Sequence, residues 1–302
     1  MGWTPSDIPK LTGYTAVVTG ANAGLGFEIT AALAARGAQI VLACRNTAKA
    51  DAAADQIQQR YPTATLEVRA LDLADLDSVG AFADGLLAAH DRLDILVNNA
   101  GLMAIDEART AQGVEMQFGV NHLGHFALTA RLLPLLLATP GSRVATMSSM
   151  GHRAARGPAD PRGERPYQRW GAYFHSKLAN LLFTAELHRR LTDAAAPTIA
   201  VAAHPGGSHT DLGTEGSGLL NQAIRILGPR VTQSAALGAR PMLRAATDPA
   251  VRGGEFYGPR FLAVGATPVR ETPSRAARDA ATARRLWDLS VQLTGLAPAI
   301  TR

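Results

Sequence analysis

A single doubly wound α/β domain, a parallel sheet flanked by helices on both faces, is the fold the sequence predicts. From about residue 14 to residue 205, short β-rich runs alternate with longer helical patterns. Several of those runs are continuously apolar, as parallel strands covered on both faces must be. The chain has 302 residues, 47% of them hydrophobic and 18% charged, enough for one large core without requiring a second.

The elements follow in order. Strands are predicted at 15–19 (TAVVT), 39–43 (QIVLA), 66–70 (LEVRA), 94–97 (DILV), 143–147 (RVATM) and 198–202 (TIAVA). The Ala/Leu-rich segments between them, such as 48–60 and 76–90, are long enough for the crossover helices that parallel strands need. Strict alternation of this kind is the pattern of a Rossmann-type sheet. Two segments break the rhythm. Residues 151–171 (GHRAARGPADPRGERPYQRWG) read as a long loop near the site, and long loops in compact domains tend to be functional. Residues 213–229 (GTEGSGLLNQAIRILGP) read either as a hinged substrate lid or as an ordinary surface helix. There is no internal repeat.

Composition narrows the classes. No run of 18 apolar residues occurs, and the opening MGWTPSD lacks the layout of a secretory signal, so a cytoplasmic protein without a membrane anchor is expected. Cys44 is the one cysteine, which excludes an internal disulfide or a redox pair. The net charge of +5 is spread over scattered Arg and Lys, with no basic stripe, so nucleic acid is not the expected partner. A local use of positive charge, holding a phosphorylated cofactor, needs only one or two cations.

The first strand runs into Thr19-Gly20-Ala21-Asn22-Ala23-Gly24-Leu25-Gly26, and a helix follows to about Arg36. Glycines at this turn let backbone N–H groups approach a pyrophosphate, and a helix N-terminus favours negative charge. The spacing is G-x-x-x-G-x-G; outside the strand-turn-helix context it would mark only a tight βα turn. The second strand ends at Ala43-Cys44-Arg45-Asn46 with no Asp or Glu to bond ribose hydroxyls and repel a 2′-phosphate. Arg45 offers instead a cationic fork suited to a phosphate ester, so NADP(H) is favoured over NAD(H); a solvated Arg at a strand end is the plainer alternative.

With these segments in place, the chain resembles the short-chain dehydrogenase/reductase family. The resemblance rests on TGANAGLG at 19–26, Asp72-Leu73, Asn98-Asn99-Ala100-Gly101, Asn121, Ser149, Tyr173-x-x-x-Lys177 and Pro205-Gly206, all in family order. VNHLGHF, HSKLANLLF and RLWDLSVQLTGL are most similar to the retinol-dehydrogenase and WW-domain-oxidoreductase-like branch. The resemblance implies an NADP(H)-dependent oxidoreductase moving a hydride to or from a carbonyl or alcohol substrate, which the branch implies is apolar. Tyr173 would be the general acid/base, Lys177 the cation that stabilises its phenolate and holds ribose hydroxyls, Ser149 a hydrogen-bond donor to the reacting oxygen, and Asn121 the holder of a relay water. Tyr173 and Lys177, four apart in a helical pattern, share one face, and a nearby ammonium lowers a phenol's pKa.

The remaining cofactor contacts carry over in the same way. They are Gly20, Asn22, Ala23, Gly24, Leu25 and Gly26 for the pyrophosphate, Asp72 and Leu73 for adenine, Asn98 and Ala100 for the ribose, and Pro205, Gly206 and Thr210 for the carboxamide and phosphate. Ser208 stands where the family's Val is usual. His122 and His125 lie three apart but have no third ligand at metal spacing, so no metal is expected. Family members are frequently tetramers; here a monomer or homodimer is weighed against a homotetramer. The sequence bears on two other readings. A catalytically silent NADP(H)-binding sensor or scaffold would usually have lost Tyr or Lys, and both are present. A protochlorophyllide reductase-like enzyme would use an active-site Cys, whereas Cys44 lies at the cofactor end of the second strand.

Overall fold

Alternate residues of β1 (Thr15–Thr19) feed two different cores. Ala16 and Val18 join one apolar cluster and Val17 another, all three fully buried. This is the period-2 geometry of a strand covered on both faces. A computed structural model of the chain describes residues 2–156, 159–207, 234–261 and 264–300. In it β1 is followed by α1 (Gly24–Ala34), β2 (Gln39–Cys44), α2 (Thr47–Arg60), β3 (Thr65–Ala70), α3 (Leu76–Ala89) and β4 (Ile95–Asn98). Then come α4 (Met116–Phe118), a π turn (Gly119–Leu123), α5 (Gly124–Ala138), β5 (Arg143–Met147), α6 (Arg169–Asp193) and β6 (Ile199–Ala203). After the undescribed 208–233, α7 (Ala235–Thr247), β7 (Phe256–Phe261), β8 (Val264–Glu271) and α8 (Ala280–Thr294) complete the chain.

The strands form one sheet in the order β3-β2-β1-β4-β5-β6-β7-β8, parallel throughout except for the antiparallel β7–β8 pair. On one face α1, α2 and α7 pack through Ile29, Leu33, Ile57, Met242 and Leu243. On the other, α3, α5, α6 and α8 pack through Phe82, Leu86, Phe126, Phe183 and Trp287. Trp287 of α8 stacks on Phe183 of α6, with ring centroids 6.1 Å apart, and meets Phe126 of α5 edge-on at 5.1 Å. The end of the chain thus clamps the two helices that border the site. No helix among the described residues is long and apolar enough to cross a membrane.

The six expected strands are present, shifted by at most a residue at their ends. Two findings correct the sequence reading. The 151–171 loop is shorter than expected, because a 3₁₀ turn (Met150–Ala154), capped by Ser149, opens it and α6 already begins at Arg169. The edge pair β7–β8 was not anticipated. Pro259 and Pro268 face each other in its register, and proline in an apolar run argues against a strand; here Pro268 lies on the edge strand β8 and Pro259 lies past the β6–β7 pairing, which ends at Tyr257. The 213–229 lid candidate lies outside the described residues.

Candidate active site

The C-terminal ends of the parallel strands open onto a cavity of about 620 Å³, within the usual range of small-molecule sites, about 300–1,000 Å³. Opening at the carboxyl ends, where strand order departs to either side of β1 and β4, is the general rule for ligand sites in such sheets. One wall is the turn between β1 and α1, with Gly20, Asn22, Ala23, Gly24, Leu25 and Gly26 all at the surface of the cavity. Gly20 has φ +64°, a left-handed conformation that favours glycine. At Gly26 a Cβ would run into the Gly20 carbonyl and lie 2.7 Å from Asn99 Nδ2. Only glycine lets the helix start this close to the strand. The result is a cradle of backbone at a helix N-terminus, which fits the pyrophosphate of a dinucleotide. Cys44 is buried against this turn; burial pushes its thiol up, and hydrogen bonds from the Ala21 and Asn22 backbone work against that rise.

Past β2, exposed Arg45 and Lys49 line one end of the cavity. Asn46 caps α2 by accepting from Lys49 N–H at 3.0 Å, so the helix N-terminus and both cations converge there. Lys49 was missed by sequence reasoning; its signal was a cation three residues after a capping Asn. Asp72, Leu73 and Ala100 also line the cavity, and Asp72 Oδ1 accepts from Ala74 N–H at 2.9 Å, a local turn that fixes its carboxylate.

At the other end stand Tyr173, Lys177 and Pro205. Tyr173 and Lys177 lie on the inner face of α6, 6% and 4% exposed, with Lys177 Nζ 6.0 Å from the Tyr173 ring centroid. Burial raises the Tyr173 phenol above its ordinary value, and a hydrogen bond with the Ser149 side chain works the other way. Burial also lowers the Lys177 amine to about 8. Its Nζ has one long bond, to Met147 O at 3.4 Å. Of the two serines it is Ser148 that lines the cavity, but its hydroxyl donates to Lys177 O at 2.8 Å; Ser149, not itself on the lining, is the one whose side chain hydrogen-bonds Tyr173.

Not every expected residue faces the cavity. Asn98 is 1% exposed and donates from Nδ2 to Thr129 Oγ1 at 3.1 Å. Asn121, in the π turn, is fully buried, and its side chain is already committed. Oδ1 accepts from Leu102 N–H at 2.7 Å, while Nδ2 donates to Leu102 O at 2.9 Å and to Ser176 Oγ at 2.8 Å. The Asn121 backbone carbonyl already accepts from His125 Nδ1–H at 3.1 Å, so a relay water there would have to share that oxygen. Gly206 reaches the site only through its chain neighbour Pro205, and Thr210 and Ser208 lie outside the described residues. Tyr167 lines a second cavity of about 330 Å³, beside the first turns of α6. Its hydroxyl donates to Ile105 O at 3.1 Å and accepts from Gln117 Nε2 at 2.7 Å.

The paired histidines have ordinary partners. His122 Nε2 meets Ser290 Oγ at 2.8 Å. His125 Nδ1 lies 3.1 Å from Asn121 O, which can only accept, so Nδ1 carries the proton and donates. His125 Nε2 then accepts from Thr19 Oγ1 at 2.9 Å, and that same oxygen accepts from Asn99 N–H and Ala100 N–H, each at 2.9 Å. Burial holds His122 at about 3 and His125 at about 4, both neutral.

A cradle for a pyrophosphate, two cations at one end and a buried phenol, hydroxyl and amine at the other can bind a phosphorylated dinucleotide and move a proton beside it. Comparisons with known proteins agree. The family model for short chain dehydrogenases matches residues 14–217. Human retinol dehydrogenase 12 is 41% identical over 288 residues, covering 95% of this chain and 88% of that protein. Among solved structures, an uncharacterised protein from Mycobacterium paratuberculosis is 44% identical with a TM-score of 0.82, covering 99% of this chain and 100% of that one. An NAD(P)-dependent gluconate 5-dehydrogenase from Beutenbergia cavernae, solved with bound NADP, is 26% identical with a TM-score of 0.63, covering 82% of this chain and 96% of that one. The chain belongs to the short-chain dehydrogenase/reductase family, in its retinol-dehydrogenase-like branch, and is an NAD(P)-dependent oxidoreductase.

Proposed function

We propose that the chain is an NADP(H)-dependent carbonyl reductase and alcohol dehydrogenase acting on apolar substrates, with Tyr173 as its general acid/base. The observation that carries this reading is one cavity lined at one end by Arg45 and Lys49 and at the other by Tyr173 and Lys177. NADP(H), when bound, supplies or accepts the hydride. Asn22, Ala23, Gly24 and Leu25 would hold its pyrophosphate, Arg45 and Lys49 its 2′-phosphate, Asp72 and Leu73 its adenine, and Lys177 the ribose hydroxyls at the reacting end.

In reduction, Tyr173 Oη donates its proton to the carbonyl oxygen while Ser149 Oγ hydrogen-bonds the same oxygen, where negative charge develops. Burial keeps Tyr173 a phenol in the free site, which suits a proton donor. As the proton leaves, the Ser149 hydrogen bond and the Lys177 ammonium stabilise the phenolate. Proton return runs through Lys177 Nζ.

Two features support an apolar substrate. Trp170 and Phe174 lie against the Tyr173 ring, with centroids 6.2 and 6.1 Å from it, and one of the relatives just described is named for retinol. The test is NADPH oxidation across a panel of aldehydes, ketones and quinones graded by chain length. Turnover that rises with apolar length is expected. Tight NADPH binding with no turnover on any member would instead mean a cofactor-binding scaffold.

A further inference from the structure

His204, directly after β6, is 1% exposed. Its Nδ1 accepts from the Gly206 backbone N–H at 3.1 Å. A backbone N–H can only donate, so Nδ1 is bare and the ring proton sits on Nε2. Nε2–H then donates to Glu271 Oε1 at 3.0 Å. Glu271 closes the edge strand β8, and its second oxygen lies 3.6 Å from Arg153. The histidine–glutamate bond passes over bare backbone, because a Cβ at Gly258 of β7 would collide with both His204 Nε2 and Glu271 Oε1.

A second histidine repeats the arrangement next door. His152 Nδ1 donates to Ser149 O at 2.6 Å, and its Nε2 accepts from Ser274 N–H at 3.2 Å. The Phe256 ring separates the two imidazoles, 5.6 Å from His152 and 5.2 Å from His204. One short stretch of chain, from Glu271 to Ser274, therefore grips the backbone behind Ser149 and the backbone behind Pro205.

The position of that second grip gives it a specific role. Pro205 lines the cavity together with Tyr173 and Lys177. In the strand order, β6 stands four places from β2, so the 205–206 turn lies about 19 Å across the sheet from Arg45, at about 4.8 Å per strand. A ligand whose 2′-phosphate sits at Arg45 meets this turn only with its opposite end. We propose that His204 and Glu271 are positioning residues that fix the 205–206 turn against the nicotinamide half of the bound cofactor. The inference rests on the NADP(H) reading of the cavity.

Calorimetric titration of the full chain separates the two halves of the ligand. NADPH reports on both ends, whereas adenosine 2′,5′-bisphosphate carries the 2′-phosphate and no nicotinamide. His204→Leu and Gly258→Ala are each expected to weaken NADPH about tenfold, the usual scale for losing one buried hydrogen bond, and to leave the bisphosphate within about twofold. His204→Asn is expected to restore most of the loss, because an Asn side-chain oxygen accepts from the N–H two residues on in an Asx turn. Glu271→Gln, which keeps an acceptor, is expected to be milder than Glu271→Leu. If His204→Leu does not fold, Glu271→Leu makes the same comparison at a site that is not fully buried. Equal weakening of both ligands would show a general packing role and overturn the proposal. Unchanged NADPH affinity in both leucine variants would overturn it as well. Failure of the unmodified chain to bind either ligand would bring down the cofactor reading itself, an outcome distinct from a variant that binds the bisphosphate normally.

Discussion

Tyr173→Phe is expected to lower kcat by about 10²–10⁴, the range for removing a positioned general acid/base, while NADPH affinity stays within about twofold because a single hydroxyl is removed from a ring that otherwise packs as before. The change deletes Oη alone and preserves the contacts with Trp170 and Phe174. Stopped-flow hydride transfer with a saturating aldehyde reads the first effect, and fluorescence titration with NADPH reads the second. The same assay carries a pH dependence. Lys177 titrates at about 8 in the free site, and its ammonium is the form that stabilises developing phenolate. The active form is the protonated one, so kcat/KM for reduction should be level below that pH and fall as pH rises through about 8. A rate that instead rose through that pH would remove Lys177 from the role. Tyr173→Phe enzyme that still turned over at the parent rate would do the same for Tyr173.

Arg45→Asp is expected to reverse the cofactor preference, measured as the ratio of kcat/KM for NADPH to that for NADH. A charge-assisted hydrogen bond to phosphate contributes about 1.5–3 kcal/mol, and replacing the cation by a carboxylate adds repulsion, so a fall in that ratio of about 10²–10³ is expected. The new carboxylate also offers the ribose hydroxyls an acceptor, which should improve NADH. Lys49 stands four residues on at the same end of the cavity, so Arg45→Asp with Lys49→Ala should push the ratio further than either change alone. An unmoved ratio would place the 2′-phosphate elsewhere.

Much of this molecule was legible in its sequence, for reasons that differ from residue to residue. The strands β1, β2, β4, β5 and β6 announce themselves because parallel strands covered on both faces are short apolar runs, and Val17, Val41 and Leu96 have no other place to go. The glycine turn was legible because its chemistry is local: Gly20 and Gly26 contact each other within one turn of chain. Tyr173 and Lys177 were legible through the four-residue helical spacing. The last two strands were not, since Gly258, Pro259 and Pro268 are poor strand formers, tolerated on the edge strand β8 and on the part of β7 that lies past its pairing with β6. Nor was the commitment of the Asn121 side chain, whose partners Leu102 and Ser176 are 19 and 55 residues away. His204 and Glu271 are 67 residues apart, and nothing in the neighbourhood of either points to the other. Local chemistry reads from sequence; partnerships made by sheet order do not.

The neutral imidazoles at the heart of the domain also set how it meets acid. His122, His125 and His152 are held at about 3, about 4 and about 4, against an ordinary value of 6.5. An unfolded chain would take up three protons, one at each of these rings, in a range where the folded chain refuses them. Proton uptake therefore favours unfolding as pH falls below about 6.5, and the penalty grows until the folded rings themselves titrate near 4. The stabilisation is complete above that upper limit and drains away beneath it. Urea midpoints measured from pH 7.5 down to 4.5 should fall steeply, and His125→Asn should flatten the slope by close to one proton. The histidine that keeps Thr19 and Asn121 in register is thus one of three that make the core of this enzyme sour-sensitive, so that it withstands neutral media better than acidic ones.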